Sequence, residues 1–193
     1  MPPRFKFTKT KIIESAFNLV QSNGWNNLST RALASELGSS ARPIYSFFKS
    51  MDVLEEELVK MSYKLLHEFM IRELTGDLWI DHGIGYVMFA REEKHLYRGI
   101  NNEKNIKHFA VYGQGVLDAC TNSLSDYPRF HGLTKEQIYQ IQATRLFFAH
   151  GLAFQVSNSP PEIWEDDIIA QKIQQGSIAI YDGLKKQFDL TSK

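Results

Sequence analysis

The chain has 193 residues, 43% of them hydrophobic, which is enough to bury a core and excludes a disordered tail. Its net charge is zero, which would argue against a nucleic-acid partner if the charge were evenly spread. It is not: residues 1–50 carry seven Lys/Arg against Glu14 and Glu36, a balance of +5, and the remainder carries −5. One end of the chain is therefore suited to meet a polyanion.

Cys120 is the only cysteine, so no disulfide forms within the chain, and a reducing, cytoplasmic setting is expected. The first residues, MPPRFKF, have no apolar run or small-residue cleavage site of the kind a secretory signal needs. The longest stretch free of Asp, Glu, Lys and Arg is 146–161. It is polar in places and shorter than the roughly 20 apolar residues a bilayer span requires, so no membrane partner is expected.

Taken in order, residues 8–23 have Ile12, Ile13, Ala16, Phe17 and Val20 at helical spacing, with Asn23-Gly24 as the stop. Ser29 is a good N-cap for a helix over 30–37, whose inner face is Leu33, Ala34 and Leu37. Gly38 breaks the chain, and Ser40 is placed as the N-cap of a third helix over 41–48. Pro43 falls in the first turn of that helix, where a missing N–H costs little. Two short helices joined by a glycine turn form a helix-turn-helix, the unit that sets its second helix in the DNA major groove.

The rest reads as helix for most of its length: 51–74, capped by Ser50, then 78–93, a short irregular piece at 95–102, and 103–124. A loop at 125–133 follows. Thr134-Lys135-Glu136-Gln137 has the form of a capping box for a helix to about 157, and a last helix runs over 162–189. No strand with period-2 alternation and no internal repeat is visible. The fold class is all-α, with a three-helix head over 1–50 and a helical body over 51–193.

The last two helices are apolar on more than one side. In the first, Ala143, Phe147, Gly151 and Phe154 form a second stripe beside the main one, and the final helix carries Ile169, Ile173, Ile180 and Leu184 on one side. A helix apolar on two sides buries two sides, so Phe154, Ile169, Ile173, Ile180 and Leu184 are candidates for a homodimer interface. The body is also rich in aromatics. Trp79, His82, Tyr86, Phe89, His108, Tyr112, Phe147 and Phe148 are candidate lining for a mostly apolar pocket that takes a small-molecule effector.

The head resembles the DNA-binding domain of the TetR/AcrR family of bacterial transcriptional regulators. The resemblance is carried by the run Gly38 to Phe48 (GSSARPIYSFF), by Ser29-Thr30-Arg31 with Leu33-Ala34 upstream, and by the turn Asn23-Gly24-Trp25. It covers about a quarter of the chain, and an HG-containing segment at His150-Gly151 is also seen in some members. It implies a homodimeric regulator, a repressor, that binds a palindromic double-stranded DNA operator and is released by an effector that tilts the fourth helix. Thr30 and Tyr45 fall at positions that touch phosphates in relatives. Arg42, whose planar fork suits guanine, is the candidate base reader. Arg31, Ser39, Ser40, Pro43, Ser46, Phe47 and Lys49 complete the candidate DNA-facing set. Two residues depart from the family pattern: Ser39 replaces a hydrophobic turn residue, and Met51 replaces a phosphate-contacting lysine, for which Lys49 is the candidate substitute. An alternative reading, a helical ligand-binding or interaction protein with a vestigial head, rests on that missing lysine.

No enzyme is expected. His67-Glu68 meets Ile71 where a metal-binding HExxH would need a second histidine, and no spacing joins Cys120 to a His and an Asp. The Gly83 and Gly113 regions lie in helical patterns with no preceding strand, so they are not phosphate loops. No metal or cofactor is expected.

Overall fold

Thr8 opens the first helix. Its hydroxyl accepts the main-chain N–H of Lys11 at 3.1 Å and caps α1, Lys9–Asn23, which buries Ile12, Ala16, Phe17 and Val20. The structure is a computed structural model that describes residues 7–191, and the basic residues Arg4 and Lys6 lie outside the described residues. Two short helices follow, α2 (Thr30–Glu36) and α3 (Arg42–Phe47). Their inward residues Leu33, Ala34, Ile44 and the adjoining Phe48 close a small core with α1.

Helix α4, Met51–Met70, is capped by the Ser50 hydroxyl and packs against both α1 and α5, so it connects the head with the body. Lys9 on α1 reaches Glu57 on α4 at 2.9 Å, beside the Phe48 ring.

Helix α5, Leu78–Glu92, is buried on nearly every side and packs against α4, α8 and α9, as expected for a helix apolar all round. Around it lie α6 (Lys94–Ile100), α7 (Tyr112–Ser123), α8 (Lys135–Asn158) and α9 (Asp166–Thr191). The Thr134 capping box forms as expected: its hydroxyl accepts from Gln137 N at 3.2 Å, and the Gln137 side chain accepts from Thr134 N at 2.9 Å.

Three local expectations change. Helix α4 ends at Met70, because the Asp81 carboxylate gathers the next segment into a loop, accepting from Leu74 N at 3.1 Å and Thr75 N at 2.9 Å. The piece placed at 95–102 is a regular helix, α6, while the start of the helix placed at 103–124 is a 3₁₀ turn, Ile106–Ala110. That turn is tethered to α4 by Lys104, which meets Glu55 at 2.5 Å and Asp52 at 3.1 Å. Finally, α3 begins one residue late: its N-cap is Ala41 rather than Ser40, and no side chain caps it. Pro43 in the first turn disfavours helical angles before it, which fits an irregular start.

Candidate nucleic-acid interface and ligand cavity

The turn between α2 and α3 is fixed by main-chain bonds. Gly38 has φ +58°, and its N–H donates to Ser35 O at 3.0 Å while Ser39 N donates to Ala34 O at 2.9 Å. This paired pattern is the Schellman closure, and its left-handed position is the one glycine occupies without steric cost. The turn therefore sets the angle at which α3 leaves α2. The family-typical hydrophobic residue is not needed for it, since Ser39 contributes through its main chain.

Because Ile44 and Phe48 point into the head core, the rest of α3 faces outward. Arg42, Tyr45, Ser46 and Phe47 are exposed, Tyr45 at 53%, and Lys49 follows them into solvent. The Tyr45 hydroxyl lies 3.0 Å from Thr30 Oγ1 across the helix pair. That hydrogen bond joins the two expected phosphate contacts into one unit and holds the exposed phenol in place. Arg31 is exposed at the start of α2, and Pro43 is half-buried.

Two further expected contacts have engaged hydroxyls. Ser46 Oγ donates to Arg42 O at 2.9 Å, and Ser39 Oγ donates to Ser40 O at 3.0 Å. Each must swing away before it can donate to a phosphate. Met51, where a family lysine would stand, packs against the head core as a half-buried residue, so its departure from the pattern has a packing role.

The body contains an apolar cavity of about 240 Å³. Helix α4 contributes Tyr63, Leu66 and Met70 to its wall, α5 contributes Tyr86, and α6 contributes Ile100, with Asn101 just past its end. The 3₁₀ turn adds Ile106 and Phe109, α7 adds Gly113, Val116 and Leu117, and α8 adds Leu146, Phe147 and His150. Polar groups converge at one end. The Tyr86 hydroxyl lies 2.9 Å from His150 Nδ1, and the Tyr97 hydroxyl lies 3.3 Å from the same nitrogen. Burial lowers the His150 pKa, so the imidazole is neutral near pH 7 and Nδ1 can accept the Tyr86 proton. Burial pushes the Tyr63 phenol up to about 12, and its hydroxyl has no hydrogen-bond partner.

Of the eight residues expected to line a pocket, the structure brings Tyr86 and Phe147 to this cavity and places six elsewhere. Trp79 and Phe89 are core: the Trp79 indole donates to Gln142 Oε1 at 2.7 Å, and Phe89 packs edge-on against Phe69. His82 is fully buried among α5, α8 and α4 groups. His108 and Tyr112 stack on each other outside the cavity, the Tyr112 hydroxyl donating to Glu56 at 3.2 Å, and Phe148 covers Gly176 of α9. The missed lining includes the inner face of α4, where Tyr63, Leu66 and Met70 recur at helical spacing, and Gly113, Val116 and Leu117 of α7. His150 was visible only through its HG segment.

The candidate interface residues divide similarly. Phe154 is 59% exposed and Phe147 76% exposed, with Gly151 open between them, so the second stripe of α8 does face outward. Ile180 and Leu184 are half-buried. Ile169 and Ile173 are instead fully buried in the protomer's own core, with Ile173 Cγ2 only 2.7 Å from where a side chain on Gly83 would begin. They fill the space between α9 and α5 and cannot meet a partner. Ile168 and Ile178 are the exposed large apolar residues among the described residues of α9.

Head and body also touch away from α4. The Trp25 indole lies directly on Gly99 of α6, and Gln21 Nε2 donates to Glu93 Oε1 at 2.8 Å. A Cβ at Gly99 would overlap the indole ring. Gly99→Ala is therefore expected to displace Trp25 and lower stability by about 1–3 kcal/mol. Urea unfolding checks this, and an unchanged midpoint would show that the indole does not pack there.

A helix-turn-helix whose second helix exposes Arg42 is thus set on a helical body that holds an apolar cavity. Residues 12–58 match the family model for bacterial regulatory proteins of the tetR family. The fold agrees over the whole chain: a TetR variant from Acinetobacter baumannii AYE, solved in complex with minocycline, matches with a TM-score of 0.62 and 16% identity, covering 94% of this chain and 98% of that one. By its head the chain is similar to the tetR family of bacterial regulatory proteins, and its fold is similar to that of the solved TetR variant. A comparison with curated proteins finds no significant match. Among the described residues, no helix is long and apolar enough to cross a membrane.

Proposed function

We propose that the protein is a homodimeric repressor that sets its two α3 helices into successive major grooves of a two-fold operator and leaves it when a small ligand fills the body cavity. The observation that carries the DNA half is the division of α3: Ile44 is buried while Arg42, Tyr45 and Phe47 face outward, with the Thr30–Tyr45 hydrogen bond holding the phosphate-contacting pair. The dimer half rests on the open Phe147, Gly151 and Phe154 stripe of α8. Two such heads would engage half-sites about one helical turn, roughly 34–36 Å, apart.

The cavity wall supplies a route between the two halves. Tyr63, Leu66 and Met70 belong to α4, which three residues separate from the end of α3. Ile100 of α6 and Asn101 just past its end line the cavity beside Gly99, on which Trp25 of the head rests. A ligand that prefers a wider cavity would shift α4 and α6 together and move the heads off the operator spacing. Complete switching needs a preference of about 5.5 kcal/mol between the two states.

The test is a fluorescence-anisotropy titration at low salt with duplexes cut from the DNA flanking the gene. Saturable binding to one duplex is expected, and Arg42→Ala should weaken it by about 10- to 100-fold while flattening the preference between duplexes. Tyr45→Phe should weaken all duplexes alike, as a phosphate contact would. Absence of saturable binding to any duplex would overturn the proposal and favour the vestigial-head reading. Met51 alone supports that alternative, and its packing role weakens the support.

A further inference from the structure

The cavity's chemistry selects a class of ligand, an inference that rests on the reading of the body as an effector domain. Among the described residues, no Asp, Glu, Lys or Arg contributes to the wall. An ion brought in from water would lose its hydration without gaining a counter-charge, a large penalty in an apolar site. The only titratable base in the wall, His150, is kept neutral by burial and is already engaged by Tyr86 at 2.9 Å. The Asn101 side-chain amide donates to Tyr97 O at 2.8 Å. Tyr63 differs from these neighbours: it is buried, it lines the cavity, and its hydroxyl has no partner. An unpaired buried hydroxyl is a standing cost that a ligand acceptor would remove.

Size narrows the class further. The cavity, at about 240 Å³, exceeds the roughly 150 Å³ engineered apolar cavity that takes benzene, and it suits a bicyclic or similarly compact skeleton. Leu66, Met70, Ile106, Phe109 and Leu117 leave most of that skeleton in contact with hydrocarbon.

We propose that the effector is an uncharged, largely hydrocarbon molecule of bicyclic size whose single hydrogen-bond acceptor receives the Tyr63 hydroxyl. Charged aromatic acids and amines of the same shape are excluded. The site reads charge by lacking a counter-ion and reads polarity at one atom.

Three probes of one shape test this by calorimetry on the full-length protein: 2-acetylnaphthalene, 2-ethylnaphthalene and 2-naphthoate. The ketone is expected to bind with a saturable isotherm, and the carboxylate at pH 7.5 at least about 100-fold more weakly. Tyr63→Phe, which removes only the hydroxyl, should weaken the ketone about five- to tenfold and leave the ethyl compound within twofold. Three outcomes would each overturn the proposal: naphthoate binding as tightly as the ketone, no binding by either neutral probe, or an equal loss for both neutral probes in Tyr63→Phe. Anisotropy with the selected duplex in the same preparation separates this from the functional reading. If the ketone binds as described yet never displaces DNA, ligand-controlled release fails while the ligand chemistry stands.

Discussion

Alanine at Gly85 is expected to destabilise the protein by about 2 kcal/mol or more, among the largest losses any single methyl group should cause in this fold. Gly85 sits where α5 crosses the end of α4. A Cβ built there would lie 2.7 Å from Met70 Cα and closer still to the carbonyl of Phe69. These are main-chain atoms, so no side chain can rotate away, and the two helices must separate. Overpacking costs about 1–3 kcal/mol in ordinary cores, and an immovable neighbour puts this site at or beyond the upper end. Alanine's better helix propensity returns up to about 1 kcal/mol, which is why the net figure is not larger.

The effect should be visible as a fall in the thermal midpoint of roughly 4–8 °C for a chain of this length. Gly115→Ala is the matched control. It lies on the exposed side of α7, and no other group comes within 4 Å of the position its Cβ would take, so the same substitution should stabilise by up to about 1 kcal/mol. Equal midpoints for the two variants would show that the α4–α5 crossing is not tight. Since α4 also carries the head, under the proposed function a parted crossing in Gly85→Ala should weaken duplex binding at temperatures where the variant is still folded.

The head was legible in the sequence because its determinants are local. The spacing of Leu33, Ala34, Ile44 and Phe48, the capping Ser29 and the break at Gly38 all act within about twenty residues. The outer stripe of α8 was legible for the same reason, since 143, 147, 151 and 154 follow one helix face. The cavity was not, because its wall is assembled from five helices and a turn, and periodicity does not say which face of α4 looks at which face of α8. The aromatics of α5 illustrate the difficulty. Trp79 and Phe89 read as pocket candidates by abundance, but α5 is central, and a central helix spends its large side chains on filling the core. Ile169 and Ile173 misled in the opposite way: a clean apolar stripe on a terminal helix marks a buried face without saying whether the protomer or a partner buries it.

His82 should make the protein acid-labile well above the pH at which carboxylates protonate. The residue is 0% exposed, and among the described residues neither ring nitrogen has a hydrogen-bond partner. Burial first, then the Arg145 guanidinium and His67, lower its pKa to about 3, with Asp81 opposing. Asp81 offers little relief, because its carboxylate is occupied by Leu74 N and the Thr75 N–H and hydroxyl. In the unfolded chain the imidazole titrates near 6.5. Below that value the unfolded state takes up a proton that the folded state refuses, so stability falls as pH falls. The full stability is present above pH 6.5 and is lost at up to about 1.4 kcal/mol per pH unit, a total approaching roughly 4–5 kcal/mol near pH 3. His150, also depressed by burial, adds a smaller contribution of the same sign.

Urea unfolding at pH 7.5, 6.0 and 5.0 measures the slope, and His82→Leu isolates its source. The leucine removes a buried donor and a buried acceptor together, so the variant should match or exceed the parent at pH 7.5, where unpaired polar atoms only cost. Its advantage should then widen by about 1–2 kcal/mol on going to pH 5.0. Parallel pH profiles for parent and variant would mean that the imidazole is solvated or paired in the folded state, contrary to its place between α5, α8 and α4. The neighbouring Arg145 cannot supply the same slope, because its own lowered pKa, about 10, keeps it charged throughout this range.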